Sequence, residues 1–93
     1  MAVSLKCRLM KSSTTPSFRE RLAGLPPDIR RLAVKNFKLW LANPRHPSLH
    51  FKKVGRFWSA RVGDDYRALA IMKPRGPEWF WIGSHAEYDR LLE

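Results

Sequence analysis

The sequence predicts an α+β domain: helices come first, an antiparallel meander follows, and a short helix closes the chain. Three observations carry this. Apolar residues recur at steps of three and four between Pro27 and Asn43, the spacing of one helix face. "FWSARV", "YRALAIM" and "EWFWIG" have strand composition and are separated by the turn-like segments "GDD" and "KPRGP". "SHAE" then supplies a helix cap, with Glu87 three residues after Ser84. Ninety-three residues leave space for one core, so residues 1–93 are read as a single domain.

Residues 1–15 are expected to be peripheral. "VSLKCRLM" alternates loosely, with Val3, Leu5, Cys7 and Leu9 on one side of a possible edge strand, and "KSSTT" reads as a turn or linker. Thr15 before Pro16 starts a short helix through Phe18 and Leu22 that ends near Gly24. The long helix begins near Pro27 and ends near Asn43–Pro44. Ile29, Leu32, Ala33, Phe37, Trp40 and Leu41 form its expected apolar face, and Arg31, Lys35 and Lys38 mark another. "NPRHPS" is a loop. Leu49 to Val54 is expected as a strand, with a break at Gly55–Arg56. In the next strand Phe57, Ser59 and Arg61 lie on one side, and Trp58, Ala60 and Val62 on the other. Trp79 and Trp81 are assigned to one sheet face as core.

Lys and Arg number 18 against 8 acids, a formal net charge of +10. No carboxylate occurs between Asp28 and Asp64, an interval that holds nine Lys and Arg residues, Arg30 to Arg61. Self-repulsion on this scale points to an anionic partner. A lone Cys7 forms neither an internal disulfide nor a metal site, which fits a reducing cytoplasm. No apolar run reaches membrane length. No metal or small-molecule cofactor is expected; His46 and His50 have no cysteine or carboxylate cluster beside them.

A three-residue turn at Gly63–Asp65 sets Arg61 opposite Arg67 on one sheet face, unfavourable without an anion between them. A two-residue turn pairs Arg61 with Ala68 instead. In the first register the alanine-rich face meets the long helix and the arginine face is the exposed or concave one. An ordinary surface pair, with one arginine neutralised by Asp64 or Asp65, fits the same residues. His85 falls at the start of the last helix, where the dipole and nearby arginines favour a ring that accepts a proton. An imidazole beside a cationic phosphate cradle suits transesterification of RNA. Tyr88, one turn on, either packs with Leu91 and Leu92 or stacks on a base. Lys52, Lys53 and Arg56 form a basic run suited to backbone phosphates.

With these residues in place the chain resembles the RelE/ParE superfamily of bacterial type II toxin–antitoxin toxins, from about Phe18 to Leu92. "LPPDIRRLAVKNFKLWLANPRHPSL" matches its helical hairpin, "WSARVGDDYRALA" its central hairpin, and "IGSHAEYDRL" its closing strand and helix. The resemblance implies helices packed on a twisted antiparallel sheet. RelE-like members cut messenger RNA in the ribosomal A site without a metal, which implies a cytoplasmic endoribonuclease with ribosome and mRNA as partners. Arg61 and Arg67 would hold the phosphate, His85 would be the acid/base group and Tyr88 would stack or orient. Lys52 and Lys53 would contribute phosphate or ribosomal RNA contacts. Several members carry lysine or arginine where this chain has His85. The resemblance also implies an acidic antitoxin, which Arg31, Lys35 and Lys38 would meet. ParE-like members share the fold but inhibit DNA gyrase without nuclease activity. A non-toxic basic binding module is the third reading.

Overall fold

The computed structural model describes residues 12–92, so the suggested strand through Val3, Leu5, Cys7 and Leu9 lies outside the described residues. The elements are β1 (Ser13–Thr14), α1 (Pro16–Ala23), α2 (Pro27–Ala42), a 3-10 turn (Pro47–Leu49), β2 (Lys52–Val54), β3 (Phe57–Val62), β4 (Tyr66–Lys73), β5 (Gly76–Ser84) and α3 (His85–Leu91). The five strands form one sheet in the order β1-β5-β4-β3-β2. From β2 to β5 it is an antiparallel meander, and β1 adds a parallel edge against Glu78 and Trp79. The α+β class is as expected, but "KSSTT" is more than a linker. Its Ser13–Thr14 pair with β5, and the Thr15 N–H continues the pairing to the Trp79 carbonyl at 3.0 Å.

Local chemistry explains the helix boundaries. The Thr15 side-chain oxygen accepts from the Phe18 N–H at 3.1 Å, satisfying a donor that the first turn leaves free. Pro16 at the next position has no N–H to satisfy. Gly24 ends α1 by donating to the carbonyls of Glu20 and Arg21. Pro27 restarts the helix, and α2 stops at Asn43, whose N–H bonds to Leu39 O at 2.7 Å, just before Pro44. The expected strand Leu49–Val54 is shorter than the sequence suggests. Pro47 opens a 3-10 turn, capped by the His46 Nδ1 accepting from the Ser48 N–H at 3.2 Å, and Leu49 turns into the core. Pairing begins only at Lys52.

The alanine-rich face does meet the helices. Ala60, Val62, Ala68 and Ala70 are buried there with Trp40, Leu49, Trp79 and Ile82, and Phe18, Leu22, Leu32 and Ala33 pack around them. Small residues on the strands let α2 approach, and the Asn36 side chain donates to the Arg61 carbonyl at 3.3 Å. The Trp40 ring meets Phe51 and Trp79 edge-on, at 5.6 and 5.9 Å. Such pairs add about 0.5–1.5 kcal/mol each beyond area burial. The long helix departs from its expected face. Phe37 and Leu41 are 39% and 44% exposed, and Val34 beside them is 47% exposed. The residues of α2 that pack on the core are Leu32, Ala33, Leu39 and Trp40, with Asn36 bonded to β3 between them.

The tryptophans of β5 are on opposite sides of the sheet. Leu69 pairs with Trp81 but Ala70 pairs with Trp79, so Phe80 is an extra residue and the alternation reverses. Trp79 joins the helix-side core. Trp81 faces the other way, under the Arg21 guanidinium at 5.1 Å.

Candidate functional site

The β3–β4 register is the one that a three-residue turn gives: Val62 opposite Tyr66, Arg61 opposite Arg67, Ala60 opposite Ala68. Gly63 begins the turn at φ +68°, a backbone conformation that side chains rarely adopt. Arg67 pairs with Gly83 on its other side, and Lys52 pairs with Ser59. Two rows therefore cross the face away from α1 and α2. One runs Arg61, Arg67, Gly83; the next runs Lys52, Ser59, Leu69, Trp81. Extending the β2–β3 register back from Lys52 brings His50 opposite Arg61, and its Nε2 lies 3.5 Å from Arg61 Nη1.

This face is half covered. Ser59 and Leu69 are buried on it, and the Tyr88 hydroxyl of α3 donates to Ser59 Oγ at 3.0 Å. Tyr88 thus reaches across the sheet, while Leu91 is exposed and Leu92 half-buried. Its ring lies nearly parallel to that of His85, centroids 6.1 Å apart. The His85 N–H donates to the Asp65 carbonyl at 2.6 Å, so α3 begins against the β3–β4 turn. The imidazole is half exposed, and its Nδ1 lies 3.6 Å from the Asp89 carboxylate one turn on.

Both arginines bend toward the same turn. Arg61 donates from Nε to the Gly63 carbonyl at 3.0 Å and forms an ion pair with Asp64. Arg67 donates from Nη1 to the carbonyls of Tyr66, Gly63 and Asp64, at 2.7, 3.4 and 3.3 Å. Arg67 makes no ion pair among the described residues, so its charge is available to a ligand. Arg61 is partly neutralised by Asp64, one of the two arrangements that the sequence allowed.

The basic run does not gather as one group. Lys52 shares the Arg61 face, whereas Lys53 pairs with Trp58 and points to the helix side. Arg56 lies over the Phe57 ring at 5.6 Å, five residues before Arg61 and so about 16 Å away along β3. Arg31, Lys35 and Lys38 are exposed on α2, in the layer on the other side of the sheet. Among the described residues no three His, Cys, Asp or Glu side chains gather to hold a metal ion, and no helix is long and apolar enough to cross a membrane.

No protein-family model matches the sequence, and no curated relative matches it. Solved structures do. The RelB–RelE antitoxin–toxin complex from Methanococcus jannaschii superposes with a TM-score of 0.65 at 16% identity, over 87% of this chain and 99% of that one. The isolated RelE toxin of E. coli gives 0.61 at 10% identity, over 88% and 95%. YafQ from E. coli gives 0.61 at 13%, over 85% and 97%. The fold is that of the RelE toxins.

In this RelE fold the closing helix is anchored from an unexpected quarter. Arg21 of α1 donates from Nε to the Ile82 carbonyl at 2.8 Å, lies over Trp81 and reaches the Glu87 carboxylate at 3.4 Å. Glu87 in turn accepts from the Ser84 N–H at 3.1 Å, while Ser84 Oγ accepts from the Glu87 N–H at 3.2 Å. The Ser84 backbone N–H, then its hydroxyl and Arg21, hold the Glu87 carboxyl below its ordinary value of 4.5. A lowered folded value means that this contribution is complete above the ordinary value and is lost as pH falls through the lower one. Acidification below pH 4.5 is therefore expected to fray α3 before the sheet. Amide exchange should rise first at Ser84–Tyr88, and Glu87→Gln should remove that pH dependence.

Proposed function

We propose that this chain is the toxin of a type II toxin–antitoxin system and acts as a ribosome-dependent messenger RNA endoribonuclease. The observation that carries this reading is the Arg61–Arg67 row beside the start of α3. Two guanidinium groups from neighbouring strands sit over one turn, with the imidazole of His85 and the ring of Tyr88 on the adjoining helix. Like charges directly opposite on a sheet are stabilised by an anion between them. A phosphodiester is an anion of the right size, and Lys52 extends the positive face along the strand.

In the proposed reaction a base takes the proton of a ribose 2′-hydroxyl. That oxygen attacks the adjacent phosphorus, and the bond to the 5′-oxygen breaks. An acid protonates the departing 5′-oxygen, leaving a 2′,3′-cyclic phosphate and a 5′-hydroxyl. Arg61 and Arg67 stabilise the charge on the phosphoryl oxygens as it develops. His85 is one proton-transfer group. Tyr88, its hydroxyl fixed by Ser59, offers its ring to a base. Lys52 binds RNA phosphates on the site face, and Lys53 and Arg56 make such contacts only beyond it.

The RelB–RelE complexes suggest the partner. An acidic antitoxin segment would meet Arg31, Lys35 and Lys38 on α2, where exposed Val34, Phe37 and Leu41 supply an apolar stripe between the charges. The reading is tested by inducing the chain in cells and mapping transcript ends. Growth arrest with in-frame cuts in translated messages supports it. Intact transcripts with loss of DNA supercoiling would place the chain with the gyrase inhibitors. Normal growth, with salt-sensitive RNA binding alone, would make it a binding module.

A further inference from the structure

His50 was not part of the expected site, yet three features single it out. It is the one described non-glycine residue with positive φ, +44°, a conformation that costs energy and clusters at functional sites. Its side chain is exposed where the β2–β3 register brings it opposite Arg61. Its Nε2 faces Arg61 Nη1 at 3.5 Å. A guanidinium has only donors, so a ring nitrogen can bond to it only as the acceptor.

His85 has the opposite neighbour. Its Nδ1 lies 3.6 Å from the Asp89 carboxylate, which leaves Nε2 to face a substrate. The register sets the two histidines at opposite ends of the arginine row: His50 opposite Arg61 on β2's side, and His85 two residues past Gly83, the partner of Arg67 on β5. The row from His50 to Gly83 spans three strand gaps, about 14 Å. Cleavage by the 2′-hydroxyl needs both a proton acceptor and a proton donor, on opposite sides of the phosphorus.

We propose that His50 is the second catalytic residue of the nuclease proposed above: it takes the 2′-hydroxyl proton, and His85, entering the step as the imidazolium, gives its Nε2 proton to the departing 5′-oxygen. Substrate phosphate takes over Arg61 Nη1, which frees the His50 lone pair at the moment it is needed. The inference rests on the nuclease reading and assigns the two histidines separate tasks.

The test uses ribosomes programmed with a messenger whose scissile bond carries either the ordinary 5′-oxygen or a 5′-bridging sulfur. A thiolate leaves without a proton donor. His50→Asn removes the imidazole while keeping a residue that tolerates left-handed backbone. It is expected to slow cleavage of both messengers by about 10²–10⁴-fold. His85→Ala is expected to slow the oxygen messenger by a similar factor and to recover to within about tenfold of the parent on the sulfur one. His50→Gly, which relieves the backbone strain, should be as slow as His50→Asn, and free imidazole should partly restore it. Parental cleavage by His50→Asn overturns the proposal, and so does recovery of that variant on the sulfur messenger. If the parent chain cuts neither messenger, it is the nuclease reading itself that falls.

Discussion

Replacing Arg67 with alanine is expected, on the nuclease reading proposed above, to lower messenger cleavage by about 10²–10³-fold while the chain stays folded, the usual loss when one donor to a developing oxyanion is removed. The reason lies in what Arg67 does in the unliganded protein. It makes no ion pair among the described residues and donates only to turn carbonyls, which water can serve equally well. It also faces Arg61 directly across the strands. A like-charged pair in that position costs about 0.2–1 kcal/mol. Relief of that repulsion offsets the lost hydrogen bonds, so the urea midpoint should move by no more than about 1 kcal/mol in stability. Arg67→Lys keeps the charge but loses the two-pronged geometry and should fall between the two. The measurement is single-turnover cleavage on programmed ribosomes, with urea melts of the same preparations. Parental cleavage by the alanine variant sinks the assignment. A loss of cleavage matched by a loss of stability would make Arg67 a structural residue.

Much of this arrangement is legible in the residues, and the exceptions have physical causes. Period-two alternation in "FWSARV" and "YRALAIM", with glycine at the turn, is enough to place Arg61 opposite Arg67, once the three-residue loop is chosen over a two-residue one. Ser84 and Glu87 announce the cap of the last helix, because a capping box is a local device. His50 is hidden for the converse reason. It sits between a 3-10 turn and a strand, in left-handed backbone, where no period holds. Only the β2–β3 pairing, carried two residues past the last ladder bond, points to it. The extra residue Phe80 is equally invisible, since a bulge leaves composition untouched while it sends Trp79 and Trp81 to opposite faces. Helical spacing groups Phe37 and Leu41 with Trp40 but says nothing of how the helix crosses the sheet. Both side chains stay partly exposed at the margin of the buried stripe. Arg21 supports α3 from the first helix, a contact between residues 66 apart that no local pattern encodes.

Replacing Trp79 with alanine is expected to destabilise the chain by about 3–5 kcal/mol, the cost of emptying a buried aromatic site. Domains of this size have roughly 5–14 kcal/mol in all, so the loss takes about a fifth or more of the total and, at the low end of that range, leaves a substantial part of the preparation unfolded. Trp79 is where the layers meet. Its backbone pairs with β1 on one side and with Ala70 on the other, and the Thr15 cap of α1 bonds to its carbonyl. Its ring lies edge-on to Trp40 of α2 and 6.1 Å from Phe51, the residue leading into β2. Alanine would leave a void bounded by two helices and the sheet, which cannot close without moving all three. Trp79→Phe separates volume from polarity. The indole N–H is buried with no hydrogen-bond partner among the described residues, and such a donor costs about 1–3 kcal/mol. Phenylalanine loses some contact area but also removes that donor, so it should cost less than half as much as alanine. Urea unfolding of the three proteins checks this, and equal costs for the two variants would refute it. The same comparison separates two ways of losing toxicity. Trp79→Ala should lose it by depleting folded protein, with the residual folded fraction cleaving at the parental rate. Arg67→Ala should lose it at full folded abundance, because there the defect lies in the charge presented to the phosphate.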